Sequence, residues 1–269
     1  MRFSYSAVWD ETLSMLRTHA SLLFAVAGVF LFLPALYMGQ FLPQPKVEPA
    51  EMGAAMVTYF SDNWDWLLLA NLINMAGAIT MFQLLLGPPG ETVGAAIRRS
   101  MPILPIYFAA TLLIAVLIGT VILLVLVPLV LLLGPTAATS GAASIIPVLL
   151  LLPVAYLFGR MVPVGPVIVM EERYNPVRAL RRSFRLTRSL GWSVLGLVLL
   201  VFIAGAIVDF AITRVLGALF LYLAGPGLGG LLMLILASLF SAVLSTIIIT
   251  LFAAIYRRLI ARESPNNGT

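Results

Sequence analysis

A long stretch without any charged residue is the feature that most constrains this chain. Between Arg99 and Arg160 the sequence contains no Asp, Glu, Lys or Arg. Over the whole chain 61% of the residues are hydrophobic and 10% are charged, whereas soluble domains average about 45–50% and 25%. Because water-soluble domains do not contain uncharged segments of this length, the sequence predicts an all-α, polytopic integral membrane protein.

The apolar stretches predict the number of membrane crossings. A helix needs about 20 apolar residues to cross a hydrocarbon core of roughly 30 Å. Six transmembrane helices are therefore expected, over residues 20–40, 66–86, 103–133, 144–170, 192–208 and 231–256. The fourth stretch holds four prolines, which predict a kinked or broken helix. The apolar residues 210–224 are interrupted by Arg214, so they are predicted to form an interfacial helix and not a seventh span.

The distribution of basic residues predicts the orientation. With the N-terminus inside, most arginines fall in inner segments, and the outer segments keep only Lys46 and Arg214 among several carboxylates. Lys and Arg in short loops are held on the cytoplasmic side of a membrane. Both termini are therefore predicted to be cytoplasmic, and the positive charge is expected to face anionic lipid and not nucleic acid.

A short basic motif recurs and predicts an internal repeat. The sequence AIRRS begins at Ala96 and ALRRS begins at Ala179, each just before a long apolar run. A fainter third copy places Val8 on Ala179 and Thr12 on Ser183. The chain is therefore interpreted as one transmembrane domain, residues 1–269, built as a threefold repeat of an interfacial helix plus a helical hairpin. The units are approximately 1–87, 88–171 and 172–260, and residues 261–269 are expected to be a disordered tail.

The segment after Asn175 has the strongest local signal. Asn175 is a good helix cap and Pro176 a good first residue. At 3.6 residues per turn, Val177, Leu180 and Phe184 share one side of the helix. The other side carries Arg178, Arg181, Arg182, Arg185 and Arg188, and the earlier motif supplies the shorter pair Arg98 and Arg99. Such a basic face either fixes the topology alone or binds phosphate groups of lipids or polyphosphates.

Arg160 is the charged residue that lies deepest within a predicted span. Ten residues before Glu171, it would lie near the membrane midplane, where a charge indicates function. If the prolines after it end the helix early, Arg160 instead extends its side chain to the interface. Its candidate partners are Glu171, Glu172, Asn74 and Gln83.

Other polar residues within the spans favour helix packing. Asn71 and Asn74 share a face of the second span, from which Gln83 is displaced, so interhelical hydrogen bonds are expected. The sixth span carries rows of small residues four apart, which predict a packing face. These rows are Ala237, Ser241 and Ser245, and Ser238, Ala242, Thr246 and Thr250.

Residues 162–200 resemble a known family. They combine a proline-rich span end, the pair Glu171-Glu172, the segment PVRALRRS from Pro176, and a helix that starts at Trp192. This is similar to the membrane domain of some bacterial glycerophosphoryl diester phosphodiesterases and to related free-standing six-span proteins. The resemblance implies a bacterial inner-membrane location. In such fusions hydrolysis belongs to a separate metal-dependent barrel domain that this chain lacks, so no catalytic residue is implied.

These observations predict a protein without enzymatic activity. We expect the basic helices to bind anionic phospholipids, in envelope organisation, lipid handling or assembly with itself or another membrane protein. With one histidine, His19, and no cysteine, no metal or other cofactor is expected. The alternative is a transporter, or its membrane subunit, with a midplane site near Arg160.

Overall fold

The described part of the chain is helical. The computed structural model describes residues 4–42, 45, 47–48, 51–133, 142–171 and 175–263, and within these ranges it contains helices and connections but no strand. The predicted turn at 134–143 falls mostly outside the described residues, and the predicted tail at 264–269 falls wholly outside them. Several of the helices are long and apolar, as a multi-pass membrane protein requires.

We number the helices in chain order. The first six are α1 (Tyr5–Thr18), α2 (Ala20–Phe41, with a π-helical segment at Gly28–Phe32), α3 (Met52–Asp62), α4 (Trp64–Leu86), α5 (Val93–Ser100) and α6 (Leu104–Leu133). They are followed by α7 (Ala142–Met161), α8 (Val164–Met170) and α9 (Pro176–Leu186). The last helical stretch, Gly191–Glu263, is interrupted at Gly225. We call its residues 191–224 α10 and its residues 226–263 α11.

Side-chain caps start the three short amphipathic helices. The Ser4, Thr92 and Asn175 side chains accept hydrogen bonds from the third backbone N–H of α1, α5 and α9. This satisfies a donor that has no partner within the helix. The capped start predicted at Asn175, with Pro176 as first helical residue, is confirmed.

Within the described ranges, five helical stretches are long and apolar enough to cross a membrane. They are Ala20–Phe41, Trp64–Leu86, Val93–Pro128, Leu152–Met170 and Gly191–Glu263. The fourth is broken between Met161 and Val164, as its prolines predicted. Pro147 and Pro153, in contrast, lie within α7 and do not end it.

The last stretch corrects one prediction. Residues 210–224 do not form a separate interfacial helix, since α10 continues through Arg214 to residue 224. Arg214 places its guanidinium 5.2 Å from the centre of the Phe210 ring, one helical turn away. The helix ends at Gly225, whose φ of 72° is left-handed and suits glycine, and Pro226 follows. The chain then returns antiparallel, so that a Cβ at Gly205 would meet Leu244.

The buried core lies at one end of the helices. Nearly all residues of α4 from Met75 to Leu85 are buried, as are the residues of α8 from Val164 to Val169. Most residues of α11 from Thr250 to Tyr256 are buried too. We call this the basic end, because the three arginine-bearing helices α1, α5 and α9 also pack there. The opposite, distal end includes the exposed outer turns of α6 and α10.

Candidate functional site: the basic end of the bundle

The arginines of α9 divide into two groups. Arg178, Arg181, Arg185 and Arg188 are exposed, and none of them forms an ion pair with another described residue. We call these four residues the arginine face. Arg182 lies to one side of it and is mostly buried. Three of the five arginines that the sequence placed on one side of this helix, Arg178, Arg181 and Arg185, are exposed on α9, and the exposed Arg188 lies in the turn that directly follows α9.

The opposite side of α9 differs from the prediction. The residues that point into the bundle are Ala179 and Ser183, both with no exposed surface, while Phe184 is half-buried. Val177, predicted on the buried side with Leu180 and Phe184, is 45% exposed and lies beside the arginine face. The small residues Ala179 and Ser183 face the bundle instead of Val177, because small side chains allow helix backbones to approach closely.

Arg182 is held by two carboxylates of other segments. Its Nε donates to Glu171 Oε2 at 2.7 Å, and its Nη1 donates to Glu263 Oε1 at 2.6 Å. Tyr256 donates to the second Glu171 oxygen at 2.7 Å. The hydrogen bond to Glu263, assisted by Glu171, raises the pKa of Arg182 further above its already high usual value. Arg182 therefore joins α9 to the ends of α8 and α11, and each of its three nitrogens donates to a carboxylate.

Arg160 lies in the last turn of α7, directly before the proline break. Its Nη2 donates to the carbonyl oxygen of Phe184 at 2.5 Å, and its Nη1 donates to the Tyr156 hydroxyl at 3.2 Å. The guanidinium also lies 4.8 Å from the centre of the Phe184 ring. A cation at this place stabilises the carbonyl end of α9. None of the described candidate partners, Glu171, Asn74 or Gln83, contacts it through a hydrogen bond, and Glu172 lies outside the described residues.

The serine of the repeated motif links α9 to the broken helix. Because α7 ends at Met161, the carbonyl of Arg160 is among those without a partner in its own helix. Ser183 Oγ donates to that carbonyl at 2.7 Å. The sequence contained this signal, since both motif copies end in Ser, but the prediction concentrated on the arginines.

The other motif copy makes related contacts in α5. Ser100 is fully buried, and its Oγ lies 3.2 Å from Thr80 Oγ1 of α4. Arg98 and Arg99 are exposed, and Arg99 Nη2 lies 3.1 Å from Glu91 Oε1. The basic pair of α5 is thus smaller than the arginine face, and one of its two arginines, Arg99, already forms an ion pair within the protein.

The first helix closes the bundle against the last one. Arg258 of α11 donates through Nε to Glu11 Oε2 at 2.5 Å and through Nη2 to the carbonyl oxygen of Ala7 at 3.0 Å. Arg257 lies 3.5 Å from the other Glu11 oxygen. No local sequence signal joins residues so far apart along the chain.

The amide side chains within α4 are separated. Asn71 is exposed and Asn74 half-buried, and neither forms a hydrogen bond with another described residue. Gln83 is fully buried, and neither of its amide atoms has a partner among the described residues. The predicted interhelical hydrogen bonds of these residues are therefore not seen in the described part of the chain.

Comparison with known proteins adds no relative. No family model matches the chain, and neither a curated protein nor a solved structure does. The resemblance carried by residues 162–200 stays a prediction. Functional inference therefore depends on the geometry of the basic end, where three exposed arginines of α9 and Arg188 in the following turn can each donate hydrogen bonds to phosphate oxygens.

Proposed function

We propose that this protein is a non-enzymatic membrane protein whose arginine face binds the phosphate groups of anionic phospholipids. The observation that supports this is the contrast between Arg182, which two carboxylates bind, and Arg178, Arg181, Arg185 and Arg188, none of which forms an ion pair with a described residue. Near an anionic membrane surface each such residue contributes about 1 kcal/mol. The face would lie at the inner leaflet of a bacterial inner membrane, with both termini cytoplasmic, as the charge distribution predicts.

The proposal includes six spans arranged as a threefold repeat. The caps of the three short helices are Ser4, Thr92 and Asn175. In each short helix the residue four positions after the cap is buried, and so is the residue eight positions after it. These residues are Val8, Ala96 and Ala179, and Thr12, Ser100 and Ser183. The three helices also pack on the end of the helix that precedes them in such a ring: α5 on α4, α9 on α7 and α8, and α1 on α11. This common register supports three units, with the ring closed by the chain ends.

A transporter is the weaker proposal. It required Arg160 to offer a free charge near the midplane, but its guanidinium binds Phe184 and Tyr156 at the packing site of α9. These contacts account for Arg160 as a residue that positions α9. Roles in envelope organisation, lipid handling or partner assembly all remain consistent with lipid binding by the arginine face, and nucleic acid is not a proposed partner.

The test is lipid retention by a variant that lacks the arginine face. Replacing Arg178, Arg181, Arg185 and Arg188 with Gln should weaken phosphatidylglycerol binding at least tenfold at low salt, measured by native mass spectrometry of protein in detergent. The matched single variants Arg181→Gln and Arg214→Gln compare an arginine of the face with an exposed arginine of α10. If the fourfold variant unfolds at an unchanged temperature and retains wild-type amounts of phosphatidylglycerol, the proposal is wrong.

A further inference from the structure

A cavity of about 660 Å³ opens at the basic end, apart from the arginine face. It lies where α4, α8 and α11 end and α2 begins, and no residue of α9 lines it. Its walls are largely apolar, with Leu22, Leu84 and Ile260 among them. An apolar cavity with few polar groups is the usual form of a site for an amphiphilic molecule.

The acidic group of this cavity is Glu91. Its side chain is 4% exposed, and neither carboxylate oxygen accepts a hydrogen bond from a described residue. Arg99 forms an ion pair with it, with Nη2 3.1 Å from Oε1. A buried carboxylate without hydrogen-bond donors is costly. Glu91 therefore has capacity for a further donor.

The backbone around Glu91 increases the need for a cation. A Cβ on Gly87 would lie 2.9 Å from Glu91 Oε2 and 2.4 Å from the carbonyl oxygen of Gln83. Glycine at this position thus lets the carboxylate pack against the C-terminal end of α4. That end carries partial negative charge, which disfavours a carboxylate and favours a bound cation beside it.

A histidine and an arginine line the same cavity. His19 places Nδ1 3.1 Å from the carbonyl oxygen of Met15, which only accepts, so Nδ1 donates there and Nε2 is left as an acceptor. Arg257 is 55% exposed and lies a loose 3.5 Å from Glu11. Groups of both signs therefore surround a space with apolar walls.

We propose that this cavity binds a phospholipid whose head group carries both a phosphate and a primary ammonium. The ammonium would donate to Glu91, Arg257 would donate to the phosphate, and the acyl chain would lie along the leucine wall. A primary ammonium has three N–H donors, whereas a quaternary ammonium has none to offer a carboxylate. The site therefore distinguishes ethanolamine from choline head groups, and it differs from the arginine face, which selects negative charge.

The first experiment measures this preference directly. Delipidated protein in detergent is titrated with phosphatidylethanolamine and phosphatidylcholine of identical acyl chains, and binding is followed by native mass spectrometry. We expect the ethanolamine lipid to bind about tenfold more tightly, the difference made by a charge-assisted hydrogen bond. Equal affinity for the two lipids would overturn the proposal without any variant. The fourfold arginine variant should keep this preference, so the two sites are tested separately.

Variants then assign the preference to Glu91. Glu91→Gln should bind the ethanolamine lipid about tenfold more weakly and lose the discrimination. The same change at exposed Glu51 should alter neither. Arg99→Gln removes the ion-pair partner but leaves the carboxylate, so it should retain the preference. If Arg99→Gln abolishes it as completely as Glu91→Gln does, Glu91 acts only through the α5 ion pair and the assignment is wrong.

A final arm separates the lipid from its soluble head group. Free phosphoethanolamine offers the same charges without acyl chains, so it should compete only at much higher concentration than the lipid. If it binds as tightly as the lipid, the apolar wall contributes nothing and the lipid assignment is overturned in favour of a soluble ligand.

Discussion

The basic and distal ends of the bundle are held together by different forces. In the most apolar part of residues 93–128 only 6% of the residues are buried, whereas in Trp64–Leu86 and Leu152–Met170 the corresponding share is 50%. The ion pairs of Arg182 and Arg258 and the buried hydroxyls of Ser100 and Ser183 all belong to the basic end. Apolar surface gains little from protein packing when lipid is the alternative. Among the described residues, ion pairs and buried hydroxyls are therefore concentrated at the basic end, whereas the distal end has close contacts such as that of Gly217 with Met233.

Among the substitutions that test this difference between the two ends, removal of Arg182 should lower the stability of the protein most. Arg182→Met leaves Glu171 and Glu263 without their shared cation, and because Glu263 is 39% exposed the expected cost is about 2.5 kcal/mol, below the range for fully buried pairs. We expect thermal unfolding in detergent to begin at a clearly lower temperature. The neighbouring Arg181→Met changes an exposed residue without an ion pair and should alter stability by less than about 0.5 kcal/mol. Equal effects of the two changes would contradict the structural role of Arg182.

A cavity in the basic core should have the next largest effect. Leu251 has no exposed surface, and Leu251→Ala is expected to cost about 2 kcal/mol, the low end of the range for buried leucines, because lipid replaces water as the reference solvent. Leu124 of α6 is 68% exposed, so Leu124→Ala should leave the unfolding temperature almost unchanged. A larger loss at Leu124 would show that the distal end is covered by a protein surface.

Loss of the motif hydroxyls should have the smallest effect. Ser183→Ala removes the shorter of the two hydrogen bonds to the Arg160 carbonyl and leaves the 3.4 Å bond from Thr187 Oγ1, so the expected cost is about 1 kcal/mol. Ser100→Ala should cost a similar amount if the two motif copies are equivalent. Thr120 of α6 bonds only within its own exposed helix, so Thr120→Val serves as the distal control and should be nearly neutral. Unequal losses of stability in Ser100→Ala and Ser183→Ala would count against the proposal that the two motif copies are equivalent.

Local sequence signals located many of the structural elements. The helix start at Asn175 and the break before Val164 are where cap and proline chemistry placed them. One row of small residues in α11, from Ser238 to Thr250, is buried, while Ser241 of the neighbouring row is exposed. The prediction was wrong at Arg214, where the charged residue was expected to interrupt the helix. The helix continues through Arg214 and is interrupted at Gly225, which Pro226 follows.

Within the candidate site, the sequence identified the arginines but not their division. The amphipathic pattern of α9 predicts a basic side from helical periodicity alone. It does not show that Arg182 meets Glu263, since those residues are far apart in the chain. The same holds for Arg160, whose partner is a backbone carbonyl that carries no residue-type signal.

The sequence by itself determined that this is a helical protein with membrane-spanning stretches, because apolar length, capping residues and proline act within one helix. Only the tertiary structure decided which exposed arginines form no ion pair with a described residue, that the Glu91 side chain is buried beside Arg99, and that α1 closes against α11. Those outcomes depend on contacts between distant segments. Such contacts are set by the packing of the whole bundle, to which lipid-facing residues contribute almost nothing.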